Sequence, residues 1–223
     1  MAEKVLVLEA VQRLAYEPLP VRPLDADEVL IRTSFSGVSA GTELSQYRGT
    51  SPFMTGGWDP VQRLFRDGEP AWGFPVRNLG YEEVGRVEEV GRTVTRVRPG
   101  DVIFGAWNHR SVHVMREDEA EAKRLPEAAD PRIGIFAHIG AVALNGVHDA
   151  GIRLGDLVVV FGLGVAGQIV AQAARASGAS VVGVDPVKSR RSMALRLGAE
   201  RVLDPAAGSV AERIMPNTKL MMT

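Results

Sequence analysis

The 223-residue chain contains no cysteine. Disulfides, thiolate nucleophiles and every metal site built on sulfur are thereby excluded. An excess of either charge is also lacking: 26 Lys+Arg stand against 27 Asp+Glu. No global field draws the chain to nucleic acid or to an anionic membrane. Long apolar runs are missing too. The longest, around Leu157 to Ala166, is broken by glycines and falls short of the ~20 residues that span a bilayer. The start, Met1 to Leu6, has no apolar core of a secretory signal. These absences fit a cytoplasmic protein whose partner is a small molecule. What is present, 45% hydrophobic residues, suits one large globular domain or two small ones.

The texture of the sequence changes near residue 130. Before it, short alternating runs read as strands: Val5–Leu8, Glu28–Thr33, the valines at 84, 87 and 90 with a bulge near Gly85, Val102–Phe104 and Ser111–Val114. Arg98-Pro99-Gly100-Asp101 is a turn. Such strands, punctuated by Gly and Pro, predict a small β-barrel or sandwich over residues 1–130. Gly49 to Leu79 breaks the rhythm and holds Trp58 and Trp72 without a strand period. It reads either as a surface excursion pinned by its tryptophans or as a substrate-covering loop. Phe53, Trp58 and Trp72 suit a pocket for a flat substrate or ordinary packing equally.

Residues 131–223 read as α/β. Asp130-Pro131 is a helix start, predicting a helix to about Asp149. Leu157–Phe161 is apolar without alternation, as in a parallel strand covered on both faces. Helices over 165–177 and 187–197 are each closed by a glycine, Gly178 and Gly198. Strands over 180–184 and 201–203 follow, and a third helix begins at Ser209. Beyond Ile214 the periodicity fades.

Between the first of these strands and its helix lies Gly162-Leu163-Gly164-Val165-Ala166-Gly167. A Gly-rich loop in that context is a dinucleotide fingerprint. Gly162 permits the turn, Gly164 admits the pyrophosphate, and Gly167 lets helix and strand approach. The free N–H groups of Val165 and Ala166 then face the phosphates. Asp185 closes the next strand, at the distance where an acid binds the adenosine ribose. It favours NAD; Lys188, Arg190 and Arg191 leave NADP open, because they can pair with a ribose phosphate.

With these segments the order of parts resembles the medium-chain dehydrogenase/reductase superfamily, the zinc-type alcohol dehydrogenases and their zinc-free relatives. The resemblance rests on Ser36-Gly37-Val38-Ser39, on Leu79-Gly80-Tyr81-Glu82 with Val84-Gly85-Arg86-Val87, on Val97-Arg98-Pro99-Gly100-Asp101-Val102 and on Gly162–Gly167. Ser36 to Glu43 is similar to the bacteriochlorophyllide a dehydrogenase-like subgroup. The resemblance implies a GroES-like β-barrel followed by a Rossmann domain, a nicotinamide cofactor, and a homodimer in a full-length form. It also implies that the chain is C-terminally truncated, with the nicotinamide half of the Rossmann domain beyond its end.

In the zinc-type enzymes a Cys, a His-Glu pair and a further Cys or Asp hold the catalytic metal. The corresponding positions here are Ser39, Tyr81-Glu82 and His138. A hydroxyl and a phenol are poor zinc ligands at neutral pH. The expectation is hydride transfer between a nicotinamide and a hydroxyl/carbonyl pair without zinc. Ser39, Tyr81, Glu82 and His138 then stand as candidates to stabilise or protonate the oxyanion. The alternatives are an NADPH-dependent quinone or alkene reductase and a non-catalytic nucleotide-binding fragment. The remaining histidines, His109, His113 and His148, read as packing or surface residues.

Overall fold

A computed structural model of the chain describes residues 2–214. It divides into two compact units, Met1–His138 and Ile139–Thr223. Residues 215–223, where the periodicity fades, lie outside the described part.

The first unit opens with β1 (Lys4–Ala10) and β2 (Arg13–Pro18), an antiparallel hairpin. Then come β3 (Glu28–Ser36), α1 (Thr42–Tyr47) and α2 (Pro52–Thr55). The 49–79 stretch contains a second small hairpin, β4 (Gly57–Asp59) with β5 (Leu64–Arg66). Strands of three residues are too short to show a period, which is why the sequence concealed them. β6 (Glu83–Val90), β7 (Val102–Gly105) and β8 (Val112–Arg116) follow, then α3 (Glu117–Ala122).

The main antiparallel sheet has the order β7-β6-β3-β8. Val29, Ile31, Val87, Ile103 and Met115 bury one face of it around Trp107. The irregularity expected near Gly85 is present: Thr33 pairs with Gly85 and Phe35 with Val84, so Ser34 on β3 is the extra residue. Leu8, Val76 and Leu79 form a second apolar cluster that also takes up Tyr47 and Met54. It tethers α1 and α2 to the loop preceding β6.

The helix expected from residue 131 begins differently. Asp130 caps a 3-10 turn, Pro131–Phe136, by accepting from Arg132 N–H, and α4 (Ala137–Asp149) follows. A Cβ on Gly134 would lie 2.9 Å from Val84, so the turn lies directly against β6.

The second unit is a three-stranded parallel sheet of order β11-β10-β9. Its elements are β9 (Leu157–Phe161), α5 (Val165–Ala176), β10 (Ser180–Val184), α6 (Lys188–Arg196), β11 (Arg201–Leu203) and α7 (Val210–Ile214). Its core joins Val160, Leu163, Ala171, Ala174, Val181 and Ala194. Among the described residues β9 is an end strand of this order. Val160 is buried and Val158 and Val159 are half-buried, while Leu157 and Phe161, at its two ends, are exposed, so the covering expected of its apolar run is realised only in the middle.

Candidate functional site

Two clusters of functional side chains stand in the structure, one in each unit. In the second unit the Gly-rich turn joins β9 to α5. Gly162 adopts φ +87°, a conformation that disfavours any Cβ. Its N–H donates to Val184 O at 2.8 Å. A Cβ on Gly167 would lie 1.8 Å from Gly162 O, so no larger residue fits between helix and turn. Gly164 begins α5 in an ordinary extended conformation, and a Cβ there would meet nothing within 4 Å. The turn is therefore tight behind and open in front. Val165 and Ala166 are exposed at the N-terminus of the twelve-residue helix.

Asp185 is 2% exposed. Its Oδ2 accepts from Leu163 N–H at 2.8 Å and its Oδ1 from Val187 N–H at 2.7 Å. The Arg190 guanidinium stands 3.6 Å from Oδ2. Burial opposes the charged form, but those two backbone donors and Arg190 outweigh it and hold the carboxyl below its ordinary range. Gln168 ties the parts together, donating to Leu163 O and to Arg190 O. The sequence marked Asp185 for a ribose; it did not reveal that both oxygens already brace the loop. Each oxygen retains a second lone pair, and the open front at Gly164 fits a dinucleotide.

In the first unit, Ser39 lies on the loop after β3, and Tyr81 and Glu82 lie on the loop that leads into β6. Gly37 N–H donates to Glu82 O at 2.6 Å. Ser39 Oγ accepts from Thr42 N–H, and Ser39 N–H donates to Glu43 Oε2 at 2.7 Å. His138, at the start of α4, sets its ring edge against Tyr81 with centroids 5.2 Å apart. Glu82 is pushed above the usual carboxylate range, first by burial and then by the Glu43 charge; His138 acts in the opposite direction.

The sequence missed the buried network behind these residues. His109 is 8% exposed. Its Nε2 lies 2.6 Å from Glu43 Oε1 and its Nδ1 lies 2.9 Å from Glu83 Oε1. The Ser36 hydroxyl donates to Glu83 and also contacts His109 Nδ1. Burial alone would lower the imidazole; the bonds to Glu43 and Glu83 prevail and raise it to about 9. Glu83 Oε2 is buried without a partner. Glu43 thus joins the network to Ser39, and Glu83 joins it to Glu82 by chain adjacency. The one available sequence signal was a pair of adjacent acids, Glu82-Glu83, of which the second is fully buried at the start of β6.

Phe53, Trp58, Phe65 and Trp72 pack on one another. Phe53 and Trp72 stack at 4.1 Å and 8°, and Phe53 meets Phe65 edge-on at 4.7 Å. Of the two readings open for these rings, mutual packing is realised. Trp107 stacks on His113 at 4.9 Å, so His113 is a packing residue. His148 occupies the last turn of α4.

The positions that correspond to zinc ligands offer a hydroxyl, a phenol, a carboxylate and an imidazole. Among the described residues, no three His, Asp or Glu are placed to hold a metal ion. Both His109 nitrogens are already engaged by Glu43 and Glu83. This donor set does not fit zinc. Also among the described residues, no helix is long and apolar enough to cross a membrane.

A family model described as alcohol dehydrogenase GroES-like domain matches residues 25–151, and one described as zinc-binding dehydrogenase matches residues 165–221. D-guloside 3-dehydrogenase of Escherichia coli strain K12 is 34% identical, covering 95% of this chain and 62% of that protein. D-xylulose reductase A of Aspergillus niger is 26% identical, covering 92% and 62%. The chain thus spans less than two thirds of the length of these curated relatives. The crystal structure of 2R,3R-butanediol dehydrogenase from Bacillus subtilis superposes with TM-score 0.74 at 23% identity, covering 96% of this chain and 67% of that one. A candidate zinc-binding dehydrogenase from Sinorhizobium meliloti, bound to NADP, gives TM-score 0.74 at 23% identity, covering 95% and 64%. The two structures show a shared fold. The chain belongs to the alcohol dehydrogenase-like medium-chain dehydrogenase/reductase superfamily.

Proposed function

We propose that the chain carries the substrate-side domain, residues 1–130, and the nucleotide half-site, within residues 131–223, of an NAD(P)-dependent oxidoreductase. Its substrate is a hydroxyl/carbonyl pair on a sugar or polyol, and no zinc takes part. The observation that carries the reading is the Gly162–Gly167 turn, closed behind by Gly167 and left open at Gly164. Val165 and Ala166 are exposed at that opening and Arg190 stands beside Asp185, whereas Leu163, expected among the cofactor contacts, is buried behind the turn with its N–H given to the bracing Asp185. The relatives named for D-guloside, D-xylulose and butanediol support the substrate class.

A bound nicotinamide supplies a hydride acceptor. Oxidation of an alcohol then leaves one proton to be taken up by the protein. Glu82, held above its ordinary range, accepts that proton. In the reverse direction Glu82 returns the same proton to the carbonyl oxygen, while the Tyr81 phenol donates a hydrogen bond to that oxygen and keeps its proton. Ser39 positions the substrate hydroxyl, and His138 holds the Tyr81 ring. Unchanged turnover in Tyr81→Phe would remove the phenol from this scheme.

The test is fluorescence titration with NADH and NADPH, on the wild type and on Gly164→Asp. The variant places a carboxylate in the open front without a steric clash. The expected result is binding to the wild type, with NADH at least tenfold tighter, and loss of binding in the variant at unchanged melting temperature. Absence of binding to the wild type, or full binding to the variant, overturns the reading. NADPH preference supports the quinone or alkene reductase alternative. That alternative rests on Arg190, which is half exposed beside Asp185 and within reach of a ribose phosphate.

A further inference from the structure

A cavity of about 790 Å³ lies between the turn that joins β6 to β7 and the 124–131 segment that follows α3. That volume is within the range of small-molecule sites. The guanidiniums of Arg86, Arg98 and Arg124 line it, and each is anchored on the same turn. Arg86 donates to Gly100 O at 3.0 Å. Arg124 donates to Arg96 O at 3.0 Å and to Asp101 Oδ2 at 3.3 Å. Arg98 Nε stands 3.6 Å from Asp101 Oδ1. Asp101 is committed inside the turn: it also accepts from Arg98 N–H at 3.1 Å, and its side chain is 13% exposed. One carboxylate does not neutralise these cations.

Arg86 is the informative residue. It stands directly opposite Arg32 on the β3–β6 ladder, and like charges in that position repel. Arg32 is matched by Glu3 and Glu88. Among the described residues Arg86 has no such partner, and its one guanidinium hydrogen bond goes to a carbonyl. The side chain is exposed, so its remaining N–H donors are open to a ligand. A guanidinium presents those donors in a planar fork that matches the oxygens of a phosphate.

The rest of the wall narrows the ligand. Glu127 is exposed and lines the same cavity. Its carboxylate repels a second anionic group and accepts hydrogen bonds from hydroxyls. A polyphosphate or a nucleic-acid backbone would set a phosphate against it. Val102, Leu125 and Pro126 add apolar wall for a carbon skeleton.

We propose that this cavity binds the phosphate ester of a small hydroxylated molecule, such as a sugar or polyol. The phosphate bridges Arg86 and Arg124, with Arg98 at the rim, and the hydroxyls meet Glu127. The site lies within the first unit alone and is independent of the nucleotide reading.

Glucose 6-phosphate is the probe, with glucose and inorganic phosphate as its two halves, each titrated by calorimetry into the whole chain. The ester is expected to bind saturably, with glucose and phosphate each at least tenfold weaker. Arg86→Gln removes a like-charge neighbour of Arg32 from an exposed position, so it should keep the melting temperature and weaken the ester at least tenfold. Arg86→Lys should recover part of that loss. Glu127→Gln should erase the preference for the ester over phosphate, and it decides the matter should the arginine variant fail to fold. Absence of ester binding, glucose or phosphate bound as tightly as the ester, undiminished binding by Arg86→Gln, or an unchanged preference in Glu127→Gln overturns the proposal.

Discussion

His109 Nε2 lies 2.6 Å from Glu43 Oε1, with both side chains withdrawn from solvent. The second Glu43 oxygen holds the Ser39 N–H, so one carboxylate joins the imidazole to the candidate site. His109 is raised from the ordinary 6.5 to about 9. A raised folded value contributes stability that is fully present below pH 6.5 and is lost as pH rises through about 9. Histidine NMR should find His109 protonated at pH 8, and stability should fall by a few kcal/mol across that window. Glu43→Gln should bring the midpoint down by more than one pH unit. A midpoint unmoved in that variant would contradict the assignment of Glu43 as a main cause.

Gly167→Ala should destabilise the second unit by at least about 3 kcal/mol, because its Cβ collides with backbone rather than with a movable side chain. Gly164→Ala, three residues away, should change stability by less than about 0.5 kcal/mol. Chemical denaturation of the two variants in parallel gives the comparison. Similar losses would mean that the turn relaxes as a whole.

Asp185→Asn should cost about 1–3 kcal/mol, since an amide has one accepting oxygen for the two backbone donors. The folded carboxyl is depressed, so its contribution is present above the ordinary 3.8 and fades as pH falls through its folded value. Acid titration of the wild type should show this limb, and the variant should lack it.

Zinc added in stoichiometric amounts should leave the melting temperature unchanged, and metal analysis of the protein purified without chelator should find well under one zinc per chain. Tightly held zinc at one equivalent would refute the reading of Ser39 and Tyr81 as a lost metal site.

Trp72→Ala should loosen the 49–79 segment by removing the ring stacked on Phe53. The expected cost is about 1–3 kcal/mol, below that of a fully buried tryptophan because Trp72 is 41% exposed. Limited proteolysis between Gly56 and Ala71 should speed up, while cleavage elsewhere stays the same.

The parts legible in the sequence were those governed by local rules. Leu157–Phe161, Ser180–Val184 and Arg201–Leu203 are strands at the expected positions because glycines punctuate the runs between them. The Gly162–Gly167 turn was legible for the same reason. The β4–β5 hairpin was not, since it is held by cross-packing of Phe53, Trp58 and Phe65 rather than by alternation. The His109 network was invisible because Glu43 is 66 residues away from it in sequence. Only the pairing of β3 with β6 and the return of the chain after β7 place these groups together. Asp185 was legible as a position and not as a brace, because its partners are backbone N–H groups that any residue carries.

The aromatic residues are distributed unequally. All three tryptophans (58, 72 and 107) and all three tyrosines (16, 47 and 81) precede residue 139, where the second unit begins. Intrinsic emission and near-ultraviolet dichroism therefore come from the first unit, apart from the weak signal of Phe161, while far-ultraviolet dichroism samples both. A single melting experiment recorded at two wavelengths reports whether the halves of this chain unfold as one cooperative body or in succession. Coincident curves would mean that the Rossmann strands lend stability to the barrel; separated curves would date each event without a single added label.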